Sequence, residues 1–406
     1  MLAMPRLPHS ALALVLGAVL VDAMGFGIVA PVLPSLITRL GHMDLAAASR
    51  VSGWLVGVFA AGQFVAAPIL GQLSDRFGRR PILALAMMAF ALDYGVMALA
   101  PSLAWLFVGR AVAGAAGAVM GPAGAVLADV TPPDHRSAAF GWLSGAWGAG
   151  FILGPAVGGM ISSLGPRAPF IVAAGLAALD AVAILLVMRE TLKPGDRRGL
   201  HWRDAHMLGA FRPLSGVGRA APLVFGWALW QLSGAVYPAT WAFWSTVRFG
   251  WGPRDIGLSL AYVGLTSVLV QVFVTGRTVA LLGDRGAALL GLGCGAFAFA
   301  AYAFANRAWQ VYAIFLVGAL SNLAYAAMSG LLSQQVETSH QGALQGGLSS
   351  LSGLAAIVGP LILTQIFAWG VRHGFPGAAF LFAAALMAGC IAFVARTPRQ
   401  GEARLI

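Results

Sequence analysis

The chain has 406 residues, of which 59% are hydrophobic and only 10% charged, against roughly 25% charged in a soluble domain. A soluble fold of this length is excluded, because so few polar residues cannot cover its core. The formal charge of +11 comes from 24 arginines and one lysine, Lys193; they are scattered among short loops, which excludes the basic tract of a nucleic-acid binder.

A spanning helix needs about 20 mostly apolar residues, and that pattern recurs along the chain. The stretch Met1–Ser10 leads into the first apolar run without a small-residue cleavage site, so it reads as the start of an uncleaved helix. Predicted spans follow at 11–36, 49–73, 80–100, 104–128, 138–163 and 168–189. After a polar stretch come 221–245, 256–280, 287–305, 308–334, 342–368 and 376–395. Cys294 and Cys390 fall inside apolar runs and imply no disulfide framework.

With the N-terminus inside, 17 Arg/Lys lie in cytoplasmic segments and 7 outside, and Arg110 falls within a span. The excess of positive charge on the cytoplasmic side therefore places both termini in the cytoplasm. The expected organisation is a six-helix bundle over 1–190, a cytoplasmic linker over 191–220 and a second six-helix bundle over 221–406.

An internal repeat supports that division. Gly71–Arg80 recurs as Gly276–Arg285, and the same offset of 205 takes Gly154-Pro155 onto Gly359-Pro360 and Gly141 onto Gly346. A shared offset at three places is hard to obtain by chance. The fold class is therefore all-α and membrane-embedded, with twelve helices in two six-helix repeats. This is how major facilitator transporters are built, with substrate held between the repeats near the midplane.

The loop Gly71-Gln-Leu-Ser-Asp75-Arg76-Phe-Gly78-Arg79-Arg80-Pro81 combines turn glycines with a proline suited to the first turn of a helix. Asp75 can pair with an arginine to form a gating latch. The plain alternative, a basic loop that only sets topology, does not account for Asp75 or the glycine spacing. In the fifth span stand Gly145, Gly148, Gly150, Gly154-Pro155 and Gly158-Gly159. Small residues four apart let helix backbones touch, and Pro155 removes a backbone hydrogen bond.

Three carboxylates lie inside spans: Asp22, Asp93 and Asp180. Each costs several kcal/mol there unless paired or protonated. Asp22 lies roughly 16 Å into the first span at 1.5 Å per residue. A carboxyl group that alternates between dry and wet surroundings can take up and release a proton near neutral pH, which is the chemistry of a proton-coupled carrier. The static alternative is an ion pair with Arg110. In the second half Asp255, Asp284, Glu337 and Glu402 all fall in loops or the tail. There the seventh span offers Trp227, Trp230, Tyr237, Trp241, Phe243 and Trp244, as membrane-interface anchors or as rings to stack on a flat or cationic solute. Gln231, Gln271, Asn322 and Gln334 add neutral polar groups. Candidate cavity residues are thus Gln231, Tyr237, Trp241, Gln271 and Asn322. No phosphate-binding loop ends in the only lysine, no His pair or Cys cluster marks a metal centre, and no catalytic residue is assigned.

These segments carry a resemblance. The loop 71–81 resembles the signature of the major facilitator superfamily, and the Gly-Pro-x-x-Gly-Gly run resembles that of its antiporter branch. The chain as a whole resembles the tetracycline/proton antiporters, through Leu20–Gly27 with Pro31–Pro34, Ser74–Pro81, Leu92-Asp-Tyr94, Phe140-Gly-Trp142, Arg189-Glu-Thr191, Pro238-Ala-Thr240, Arg248–Trp251 and Gln341–Gly346.

The resemblance implies proton-coupled efflux of tetracycline-like drugs from the bacterial inner (plasma) membrane, by a protein functional as a monomer. It also implies no resident cofactor, with a divalent cation such as Mg2+ travelling as the drug chelate. It assigns functional acids to Asp22 and Asp93, a fourth-helix arginine to Arg110, loop-motif roles to Asp75 and Arg79, and an acid after the fourth helix to Asp129. The ninth-helix aspartate of that family is missing, with Gly295 at its position, and Ser267 stands near the place of its eighth-helix histidine. Asp180 is the candidate compensation. Export of another aromatic drug, a phenicol or quinolone, is the alternative that these departures leave open; nutrient symport would give the Gly-Pro-x-x-Gly-Gly helix no purpose.

Overall fold

Backbone groups in hydrocarbon have no water to bond, so long apolar segments satisfy them internally as helices. The computed structural model describes residues 9–197, 199, 221–336 and 341–396, and among these it contains helices and no strand. Most of the expected linker 191–220 lies outside the described residues, as do Arg198, Arg203, Glu337, Arg399 and Glu402.

The first three spans are single helices: α1 (His9–Gly41), α2 (Leu45–Phe77) and α3 (Arg79–Leu99). The fourth is two helices, α4 (Leu103–Ala116) and α5 (Met120–Val130), interrupted at Gly117. Then come α6 (Arg136–Ile161) and α7 (Ala168–Val187). The seventh span is likewise broken, into α8 (Ala221–Gly234) and α9 (Val236–Phe249). Each piece is 14 residues long, too short to cross alone. Backbone bonds from Ala235 to Gln231 and from Ala239 to Ala235 carry the helix through the break. The other eleven spans each contain a helical stretch long and apolar enough to cross a membrane.

The eighth span, α10 (Pro253–Phe273), stops seven residues before the expected end at 280. Its apparent continuation is the start of α11 (Thr275–Phe304), which bends at Gly283 with φ +67° before running on as the ninth span. Apolar residues in the first, short part of this helix, Val279–Leu282, extend the hydropathy pattern past the end of α10. The tenth span is α12 (Ala308–Gly318) and α13 (Leu323–Ser333), joined by a 3-10 turn over Ala319–Asn322; α14 (Gln341–Arg372) and α15 (Ala378–Ala395) complete the chain.

The helices gather into two compact units. The first takes residues within 1–43, 58–207 and 252–261, the second those within 44–57, 208–251 and 262–406. Within the first, α1 packs along α6 and α7, and α3 packs along α7 and α4. Within the second, α11 packs along α15 and α13, and α8 lies against α15 and α14. The 205-residue repeat has physical content. Gly78 and Gly283 both turn the chain with positive φ, +111° and +67°. Gly154 seats α6 on α1 just as Gly359 seats α14 on α8, where an added Cβ would meet Ala235.

Candidate functional site: a buried acidic core and a loop latch

The centre of the first unit holds the membrane carboxylates. Asp93 on α3 is fully buried and pairs with Arg110 on α4, itself 8% exposed. The guanidinium meets both carboxylate oxygens, its Nε donating to Oδ1 at 3.1 Å. Phe59 and Tyr94 flank the guanidinium, with ring centroids 5.1 and 5.9 Å from its carbon, so its remaining surface faces π-clouds instead of lipid. Gly109 makes the pairing possible, because a Cβ there would stand 2.7 Å from Asp93 Oδ1.

Asp22 on α1 is also buried. Three residues on, Gly25 leaves the space that the Tyr94 ring fills, with a built Cβ 2.6 Å from its Cζ. The structure thus links the Asp93–Arg110 pair to the stretch of α1 that follows Asp22 through Tyr94, which, with Phe59, the charge pattern alone did not single out. The available signal was Tyr94's place directly after Asp93. Asp180 belongs to α7 and faces a different stretch of α1, at Gly17.

The loop motif lies between α2 and α3. Arg79 pairs with Asp75 and, through Nε, with Asp129 Oδ2 at 3.2 Å; its Nη1 also reaches Ser74 Oγ at 3.3 Å. Thr191 Oγ1 donates to the same Asp129 oxygen at 3.2 Å. A cavity of about 650 Å³ opens here, lined by Asp75, Arg79, Asp129, Thr191, Lys193 and Arg197 among others. Arg80 reaches the carbonyl of Leu185 at the end of α7. Arg76 is exposed over the Phe77 ring, and Gly71 has open space around it, so neither joins the latch.

The residue that sequence reasoning missed is Glu190. Its Oε1 accepts from the N–H of Arg79 at 2.8 Å and its Oε2 from that of Arg80 at 3.2 Å. It therefore satisfies the unpaired donors that open α3 and places a negative charge at the positive end of the helix. The same carboxylate accepts from the N–H of Thr191 and of Leu192, each at 3.0 Å. A side chain at Gly78 would strike it. Only the sequence Arg-Glu-Thr at the end of the sixth span hinted at this role. Replacing Glu190 by Gln removes the charge but keeps the shape, and is expected to cost about 1 kcal/mol of helix-end stability. A lowered melting temperature of the detergent-solubilised protein is the check; an unchanged melt removes the capping role.

The antiporter-like run is a contact surface. Gly150, Gly154 and Gly158 lie along α1 at Leu20–Ile28, while Gly27 of α1 faces Pro155. Gly159 points the other way, to Pro253, Arg254 and Gly257 at the start of α10. Gly145 and Gly148 have nothing within 4 Å.

The cavity candidates of the second unit divide. Trp241 is 1% exposed and enclosed by Tyr237, Trp244, Tyr302, Phe315 and Phe380 at centroid distances of 5.1–6.1 Å. Its ring faces are packing surfaces, so as a wall open to solute it is corrected; such a ring cluster is core. Tyr237 sits half-buried at the edge of the same cluster, and Gln231 is half-buried on α8. Gln271 is exposed on α10. Asn322 caps its own turn by donating to the Ala319 carbonyl at 2.8 Å. Gln334 donates to Asp284 at 2.6 Å, a neutral counterpart of the Arg79 latch. At Gly295, a Cβ would lie 2.5 Å from Met387 Sδ and 3.1 Å from Ser321 Cβ. A side chain at this position would have to push aside the flexible end of Met387 and would crowd Ser321.

The Major Facilitator Superfamily pattern matches residues 15–247. The class C tetracycline resistance protein of Escherichia coli is 38% identical over 94% of this chain and 96% of its own. The class G tetracycline resistance protein of Vibrio anguillarum is 38% identical over 85% and 87%. Among solved structures, a D-xylose–proton symporter shares the fold at a TM-score of 0.75, with 18% identity over 96% of this chain and 97% of that one. A multi-pass carrier of small molecules, and no enzyme, is what these findings describe. The chain belongs to the major facilitator superfamily, and within it to the family of the tetracycline resistance proteins.

Proposed function

We propose that this transporter exports tetracycline-like drugs in exchange for protons by alternating access, acting as a monomer in the bacterial inner membrane with both termini in the cytoplasm. The observation that carries the reading is the likeness to the class C tetracycline resistance protein through both halves of the chain. The acidic core supplies the chemistry. Asp22, buried in α1, binds a proton or the drug but not both, so that one is exchanged for the other across the cycle. Asp93 and Arg110 form the fixed charge pair and hold α3 to α4. The Asp75–Arg79–Asp129 latch gates the cytoplasmic side, and a divalent cation such as Mg2+ travels as part of the drug chelate, as cargo. The seventeen-to-seven excess of basic residues supports the orientation.

A second reading is favoured by Gly295. With glycine at the place of that family's ninth-helix acid and the end of Met387 lying against it, the substrate site differs from the usual one, and another aromatic drug such as a phenicol or quinolone becomes the cargo. One experiment decides between them: a drug-susceptibility panel in a pump-deficient bacterium expressing the protein or its Asp22→Asn variant. Protection against tetracyclines that Asp22→Asn abolishes is the expected result. Protection confined to phenicols or quinolones selects the second reading, and protection against nothing ends both.

A further inference from the structure

A carboxyl group of the sixth span is left over by these assignments. Asp180 Oδ2 is shielded from solvent and has no hydrogen-bond partner. On α1 the facing residue is Gly17, where a methyl group would sit 3.4 Å from Asp180 Oδ1. That distance is ordinary contact, and the bare glycine offers the carboxyl group no side-chain donor. Among the ionisable residues of α1, His9 opens the helix, Asp22 stands five residues or about 7.5 Å along the axis from Gly17, and Arg39 is exposed in the last turn. On α3, Arg79 is held by Asp75 and Asp129, Arg80 by the Leu185 carbonyl, Asp93 by Arg110, and Tyr94 fills the space at Gly25. On α6, Arg136 donates to the carbonyls of Thr131 and Ala128. The helix α7 carries no other ionisable side chain.

An ionised carboxylate in such a place costs several kcal/mol without a counter-charge, and a neutral acid avoids that cost. We propose that Asp180 is a second proton-binding site, through which the proton taken up at Asp22 is released to the cytoplasm. With the N-terminus inside, Gly17 precedes Asp22 on α1, so Asp180 lies on the cytoplasmic side of Asp22. It stands seven residues, about 10 Å, from the end of α7 at Val187. Release breaks the O–H bond of the Asp180 acid and passes the proton to cytoplasmic water; a proton arriving from the Asp22 side remakes the bond. No other co-reactant is needed. The proposal rests on the proton-coupled reading given above.

The test uses the full-length protein in proteoliposomes with tetracycline as the probe, comparing the native protein with Asp180→Asn and Asp180→Glu. Asp180→Asn is expected to keep tetracycline counterflow without a gradient and to lose accumulation driven by a pH gradient; Asp180→Glu keeps both. Gradient-driven accumulation by Asp180→Asn equal to the native level overturns the proposal. So does joint loss of counterflow and accumulation from a monodisperse variant, which marks a structural role. If the native protein itself accumulates nothing, the coupling reading fails, and Asp180 is judged by infrared spectroscopy. A protonated-carboxyl band that titrates with pH and vanishes in Asp180→Asn supports the site, and identical spectra overturn it.

Discussion

Asp93→Asn is expected to yield a protein that is less stable as well as inactive. The substitution leaves Arg110, 8% exposed, without the carboxylate that it meets at both oxygens. Breaking a buried ion pair from one side costs about 3–5 kcal/mol, because the surviving charge is stranded. The rings of Phe59 and Tyr94, at 5.1 and 5.9 Å, soften that cost by about 1–2 kcal/mol at most. The double variant Asp93→Asn with Arg110→Gln removes both charges and is expected to recover much of the melting temperature while transport stays lost. Thermal unfolding in detergent, read beside drug susceptibility of expressing cells, separates the two effects. A single Asp93→Asn variant that melts like the native protein would show that the pair contributes nothing to the fold.

Much of this was legible in the sequence, for reasons that differ by residue. Spans announce themselves because lipid tolerates only apolar side chains over a fixed length, and a charge inside a span stands out, which is how Asp22, Asp93 and Arg110 were found. The pairing of Asp93 with Arg110 needed no more than two opposite charges in neighbouring helices. Helix breaks were hidden. Gly117 interrupts the fourth span and Gly283 ends the turn after the eighth, but 53 glycines give no means of telling which of them bend a helix. The aromatic run of the seventh span misled for a similar reason: period and composition look the same for a ring that lines a cavity and one, like Trp241, locked among five others. Glu190 was invisible because its role depends on where the end of α7 meets the start of α3, a contact between residues 111 apart. Conversely, the emptiness around Gly145 and Gly148 shows that not every small residue in the antiporter-like helix is there for packing.

That last distinction gives a graded expectation for α6. A Cβ on Gly154 would stand 2.5 Å from the Met24 carbonyl oxygen, 2.9 Å from its Cα and 3.0 Å from the Cα of Gly27. All three atoms are backbone, so no rotamer change relieves the clash and α6 must move off α1. Forcing extra volume into such a contact costs about 1–3 kcal/mol, and Val adds more than Ala. The displaced stretch of α1 runs from Leu20 to Ile28, which contains Asp22 and Gly25, so the shift is felt at the carboxylate and at the Tyr94 ring. Export is therefore expected to fall in the order native, Gly154→Ala, Gly154→Val, with expression falling less than transport. Gly148→Ala, where the added methyl meets nothing within 4 Å, is expected to behave as the native protein. Drug uptake into everted vesicles, normalised to protein amount, gives the ranking. Equal loss at Gly148 and Gly154 would mean that flexibility of the helix, and not the α1 contact, is what export requires.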